Sequence, residues 1–228
     1  MARSRQRQPQ GMPPEGETAP EPGWIDPALA EEFPGLALWY TTLERGSGRS
    51  TPAVKERLRQ LSSRFFGSHA IALRQKPIPF AYRVFFRHIG LDPDHVRTPV
   101  EEVAIERLQH GGFRSQNLLD DALTIATTEV GVALRAFDTD KVKGRLGIRT
   151  SGAGEALDGM PNPLTQGTLV IADEERPIGL LFGATGEGRG VHPRTKRTTV
   201  AAIQVRGVPP VAIEEALWIV SGVLREGG

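Results

Sequence analysis

The hydrophobic period of the chain changes near Gly131, and this change limits the architecture more than any other feature. Before that point apolar residues recur at helical spacing; after it they come in short runs broken by turn residues. Thr51-Pro52 reads as an N-cap followed by proline at the first helical position. Val54, Leu58, Leu61 and Phe65 then fall on one face, with Lys55, Arg57, Arg59 and Arg64 largely off it. A second amphipathic stretch runs from Phe80 to Ile89 and stops at Gly90. Thr98-Pro99 starts a third helix with Glu101 placed for a capping box, and Gly111-Gly112 ends it. Asn117 to Thr128 forms a fourth. Beyond it, Ala133–Phe137, Arg145–Arg149, Thr168–Ala172, Ile178–Phe182 and Thr198–Val205 read as strands, and Val211 to Leu224 as a closing helix. A regular strand–helix alternation is missing, which excludes a doubly wound sheet or an α/β barrel. The pattern predicts a mixed α/β (α+β) fold: a helical first half, short-stranded mixed sheets in the second, and a C-terminal helix.

Residues Met1 to Pro27 are rich in Pro, Gly, Gln and charge and offer little to bury, so they are expected to form a disordered tail. Residues 28–228 are expected to form a single domain, with Phe33, Leu36, Leu38 and Trp39 supplying its first apolar surface. The chain has no cysteine, which removes disulfides and thiolate metal sites. No apolar run approaches the ~20 residues needed to span a bilayer. The basic start (Arg3, Arg5, Arg7) leads into Pro, Gly and Glu rather than an apolar stretch, so a cytoplasmic location and no membrane partner are expected. The formal net charge is only +1, so any nucleic-acid contact has to come from how charge is distributed.

Several chemistries are excluded by motif. GATGEGRG (Gly183–Gly190) lacks the Gly-Lys-Ser/Thr ending of a phosphate loop and reads as a turn between strands. No serine sits in a Gly-x-Ser-x-Gly elbow. His69, His88, His95, His110 and His192 are scattered without ligand spacing, so neither a metal nor another cofactor is expected.

From Tyr82 to about Val205 the residues resemble a known family. YRVFFRHIGLDPDHVRTPVEEVAIERL (Tyr82–Leu108) is similar to the helical entry segment of its free-standing forms. SQNLLDDALTIATTEVG (Ser115–Gly131) follows an Asn-x-x-x-Asp helix, with Asn117 and Asp121 in register. ALRAFDTDKVKGRLGIR (Ala133–Arg149) resembles a "PLHAFD-x-DK-x-x-G" strand–turn unit. GTLVIADEERPIG (Gly167–Gly179) resembles a "TLVIAD…PI" strand pair, and GEGRGVHPRTKR (Gly186–Arg197) has the spacing of a "V-T-x-x-T-K" loop. Together these resemble the B3/B4 editing module of the bacterial phenylalanyl-tRNA synthetase beta subunit.

The resemblance implies a module that holds the 3′ end of a tRNA and lets water hydrolyse a wrongly attached amino acid, without a metal. It also exposes departures. Where the family has His in "PLHAFD" this chain has Arg135, and where it has Glu on the strand after "TK" this chain has Ala201. Arginine stays protonated and cannot act as a base, but it can neutralise an oxyanion or hold a phosphate. By resemblance, then, Arg135, Asn117 and Asp121 are the candidate catalytic residues, with Arg135 on the oxyanion and Asn117 or Asp121 on the amino acid or water.

Other readings of the same residues stay open. Asn117 and Asp121 lie one helical turn apart and suit a pocket or a helix start equally. Asp138 and Asp140 suit turn caps. Arg149 and Glu155 suit a surface ion pair of little energetic value. Lys141, Lys143, Arg145 and Arg149 cluster around one turn, and Arg189, His192, Arg194, Lys196 and Arg197 in one loop. If the two are adjacent they form a positive surface for a phosphate backbone; otherwise they are solvated charge. Expected partners are tRNA or aminoacyl-tRNA. A deacylase acting in trans, a non-catalytic RNA binder with a degenerate site, and a binder of free amino acid or a small metabolite all remain compatible with the sequence.

Overall fold

A computed structural model of the chain describes residues 18–64 and 72–226. The expected disorder of residues 1–17 and the apolar contribution of Phe65 lie outside the described residues. In chain order the elements are β1 (Glu21–Pro22), β2 (Trp24–Ile25), α1 (Pro27–Glu32), β3 (Ala37–Leu43), α2 (Pro52–Arg64), α3 (Pro77–His88), α4 (Pro99–His110) and α5 (Leu118–Val130). Then follow β4 (Ala133–Asp138), a 3-10 turn (Thr139–Lys141), β5 (Gly147–Thr150), β6 (Leu169–Ala172), β7 (Pro177–Leu180), β8 (Thr198–Gln204) and α6 (Pro210–Glu226). The expected mixed α/β architecture and its closing helix are what the structure shows.

The helix boundaries follow from the caps. Thr98 Oγ1 and its backbone N–H both donate to Glu101 Oε2 at the start of α4, at 2.8 and 3.1 Å, and Gly111 ends that helix with φ +72°. Asn117 Oδ1 accepts from the Asp120 N–H at 3.0 Å and starts α5. A buried ion pair anchors α3 to α4: Arg83 Nη1 donates to Glu101 Oε1 at 2.7 Å and to the Pro93 carbonyl at 3.2 Å.

The strands form two four-stranded sheets, ordered β1-β3-β8-β4 and β2-β5-β6-β7. The first is antiparallel throughout; in the second, β2 runs parallel to β5 and the other pairs are antiparallel. Neither sheet is confined to the second half of the chain. β3 lies within the stretch otherwise read as helical and pairs along its whole length with β8, Ala37 opposite Gln204 through Leu43 opposite Thr198. β1 and β2 lie within the stretch whose composition suggests a tail. They are ordered by pairing with β3 and β5 and by the Trp24 indole, which donates to the Arg145 carbonyl at 3.1 Å. Gly147 permits this, because a Cβ there would stand 2.1 Å from the indole ring.

The core gathers around β8. Thr198 to Ile203 are buried without alternation, as expected of a strand covered on both faces. On α6, Ile213, Leu217, Val220 and Leu224 point inward. The hydroxyl of fully buried Tyr82 donates to the Ile203 carbonyl at 2.5 Å and accepts from the Ala133 N–H at 3.1 Å, tying α3 to β8 and β4. Phe182, just beyond β7, packs against the rings of Tyr82, Phe85 and Phe86 and so joins the second sheet to the same core.

Candidate functional site

β4 carries Arg135 on an edge of the first sheet. In register Arg135 stands opposite Ala201 of β8, and Ala201 stands opposite Tyr40 of β3. The two residues that depart from the family pattern are therefore cross-strand neighbours whose side chains leave the same face. Ala201 is fully buried. With no acidic chain beside it, Arg135 reaches across to the segment after β7. Its Nη1 donates to the Gly183 carbonyl and its Nη2 to Thr185 Oγ1 at 2.7 Å. A Cβ at Gly179 would lie 3.4 Å from Nη2, so small residues frame the guanidinium. Among the described residues no carboxylate forms an ion pair with it, and its Nε has no hydrogen-bond partner. Burial draws its pKa below the ordinary guanidinium range, and the charge of Glu102 on α4 acts in the opposite sense.

Asn117 and Asp121 are engaged elsewhere. Asn117 caps α5, and its Nδ2 donates to Asp120 Oδ2 at 2.6 Å. Asp121 is buried, and its Oδ2 accepts from Ser50 Oγ at 2.5 Å and Ser115 Oγ at 2.6 Å, its Oδ1 from the Gln116 N–H at 3.0 Å. No hydrogen bond or ion pair among the described residues joins either side chain to Arg135.

The two basic segments do meet. The Asp138 N–H donates to the Arg189 carbonyl at 3.0 Å and the Thr139 N–H to the Arg197 carbonyl at 3.1 Å. Buried Asp138 is the clamp: its Oδ1 accepts from the Asp140 N–H at 3.1 Å and its Oδ2 from Thr195 Oγ1 at 2.7 Å. This aspartate is the turn cap that its position suggests, and it also holds the opposing loop. His192 Nε2 stands 3.8 Å from the same Oδ2, while its Nδ1 accepts from the Arg194 N–H at 3.0 Å.

The cations divide into two sets. Arg189 faces inward, with Nε on Asp158 Oδ2 at 2.9 Å and Nη1 on the Lys141 carbonyl. Arg197 is paired with Asp140 at 2.7 Å, and Arg145 donates to the Pro22 carbonyl at 3.2 Å. Lys141, Lys143, Arg194 and Lys196 are exposed, with no side-chain ion pair among the described residues. Arg135 lies three residues before Asp138, roughly 10 Å along an extended strand. Thr185 lies four before Arg189. Arg135 with its two partners and the exposed cations thus belong to the same two segments, 135–143 and 183–197.

Three features are not evident from the sequence. Gly183 and Thr185 hold Arg135 from 48 and 50 residues away, a pairing that only the fold creates. Arg149 and Glu155 form a half-buried two-pronged pair, at 2.7 and 2.5 Å, rather than a loose surface contact. A cleft of about 580 Å³ between α1, the end of α3 and the end of β7 is lined by Leu29, Phe33, Ile89, Leu169 and Phe182, and Arg135 is not on its wall. Among the described residues no three His, Asp or Glu side chains group to hold a metal, and no helix is long and apolar enough to cross a membrane.

The sequence profile of the B3/4 domain matches residues 81–217, more than half of the chain. Similar proteins include the phenylalanine–tRNA ligase beta subunit of Streptomyces avermitilis, 32% identical over 127 residues, covering 54% of this chain and 15% of that protein. The corresponding subunit of Xanthomonas oryzae pv. oryzae is 39% identical over 113 residues, covering 48% and 13%. That of Legionella pneumophila is 34% identical over 94 residues, covering 40% and 12%. The matches thus span 15% or less of these much longer relatives.

Proposed function

The chain belongs to the B3/4 domain family, and from that premise we propose that it binds the aminoacylated 3′ end of a tRNA. Lys141, Lys143, Arg194 and Lys196 meet the phosphates, and Arg135 meets the aminoacyl end. The observation that carries this reading is the stitching of the 138–141 turn to the 189–197 loop. It gathers four exposed cations on the segments that also carry a half-buried arginine with no ion-pair partner among the described residues. Phosphate contacts hold such a ligand in register while Arg135 reads what is attached to it.

Binding stands ahead of catalysis in this reading. A guanidinium has five donors, and Arg135 uses two on protein atoms, so donors remain for a developing oxyanion. Asn117 and Asp121, engaged at the start of α5, supply structure rather than a base. Hydrolysis in trans of mischarged tRNA is the activity to test, with water as nucleophile and Arg135 as the oxyanion donor.

The test compares aminoacylated with deacylated tRNA in a fluorescence-anisotropy titration, followed by a deacylation time course on the tRNA for phenylalanine charged with tyrosine. The aminoacylated form is expected to bind more tightly, and Arg135→Ala to reduce that preference by about tenfold, the worth of a charge-assisted hydrogen bond. No affinity for either form at low salt overturns the proposal. Ester loss that collapses in Arg135→Ala adds catalysis to binding; an unchanged rate leaves the chain a binder.

A further inference from the structure

The site at Arg135 is built around one positive charge. Its guanidinium is fixed at two corners, Nη1 on the Gly183 carbonyl and Nη2 on Thr185 Oγ1, so the direction of the remaining N–H groups is set before any ligand arrives. Nε is free among the described residues. The cross-strand position that could neutralise it holds Ala201, a buried methyl group with no charge to offer. Gly179 leaves open the space beside Nη2, since a Cβ there would lie 3.4 Å from it. Glu102 influences the guanidinium through space without pairing with it. A half-buried, pre-aimed cation with no ion-pair partner among the described residues favours a compact group of opposite charge, because the planar fork matches two oxygens of one anion.

We infer that the fixed Arg135 guanidinium is a receptor for a single oxyanion, a carboxylate or a phosphate, and not for an ammonium group. The inference deepens the proposed function, resting on it for the source of the anion: a phosphate would come from the RNA end, a carboxylate from an acidic side chain of the attached amino acid or from the amino acid freed once its ester is hydrolysed. Affinity for the anion itself is independent of RNA binding. An acidic residue at 201 would stand beside Arg135 and compete with the ligand, since cross-strand neighbours lie about 5 Å apart at Cβ.

The experiment follows the backbone amides of Gly183 and Thr185 and the Arg135 Nε–H by NMR in the full chain. Inorganic phosphate, acetate and methylammonium are titrated in turn at constant ionic strength. Saturable shifts with phosphate alone assign the RNA source, and with acetate alone the amino-acid source; both support the receptor. Arg135→Gln is expected to abolish the saturable amide shifts and Ala201→Glu to weaken them at least about tenfold. Arg135→Lys keeps the charge without the fork and is expected to bind more weakly than wild type but measurably. Absence of saturation with either anion, equal shifts in Arg135→Gln, or saturation by methylammonium instead would overturn the inference. Loss of anion binding with tRNA still bound counts against the receptor alone. Anion binding without tRNA affinity counts against the proposed function alone.

Discussion

Both carboxylate oxygens of Asp121 are occupied, by Ser50 and Ser115 on one and the Gln116 N–H on the other. The residue holds the loop after β3 and the chain before α5 against one helix start. Removing it leaves three donors without their acceptor in a buried site, which costs more than an ordinary hydrogen bond. Asp121→Ala is therefore expected to lower stability by about 2–4 kcal/mol, read from the urea midpoint, without altering the Arg135 site. An unchanged midpoint would show that the latch contributes nothing. That Asn117 and Asp121 lie at one helix start is legible from their spacing, but the separate partners each takes are not. Capping and pocket lining both place a carboxylate one turn after an asparagine, and the deciding partner, Ser50, lies 71 residues away. Arg135 was legible as a departure from a motif. Its partners Gly183 and Thr185 were not, since neither glycine nor threonine in a turn signals a contact across the sheet.

Among the elements, strands flanked by turn residues were legible from period and β-branched content, and helices from their caps. β3 is not legible although Pro34-Gly35 precedes it and Arg45-Gly46 follows it, because Ala37–Leu43 lacks a strict alternation of apolar and polar residues. Only its pairing with β8 makes it a strand. The segment after β5 shows how an element is held by charge. Arg149 forks onto Glu155, which also accepts from the Gly152 N–H at 2.9 Å, closing a turn against β5. The Arg149 hydrogen bonds hold the Glu155 carboxyl below its ordinary range. A depressed folded-state value means that the stabilisation is fully present above the unfolded value of about 4.5 and is lost as pH falls through the folded one. The stability difference between wild type and Glu155→Gln is expected to be constant near neutrality and to shrink below pH 4.5. Urea titrations at several pH values check this; a difference independent of pH would place the contribution in packing rather than charge.

For the whole molecule, a net charge of +1 conceals an uneven distribution. Asp138, Asp140, Asp158 and Asp173 lie on or beside the segments 135–143 and 183–197 and organise their backbone and the arginines Arg189 and Arg197. Lys141, Lys143, Arg194 and Lys196 are left facing outward. Composition could not show this, because the counter-charges become local only when the 138–141 turn meets the 189–197 loop. If four cations each neutralise one phosphate, the slope of log affinity against log salt for tRNA is about −3. The most direct measurement is that slope, compared between wild type and a Lys141→Glu, Lys196→Glu double variant whose melting temperature matches. The account predicts a steep slope for wild type, a shallower one of about −1.5 for the variant, and much weaker binding at low salt. Affinity that ignores salt, or is unchanged by reversing both charges, would contradict it.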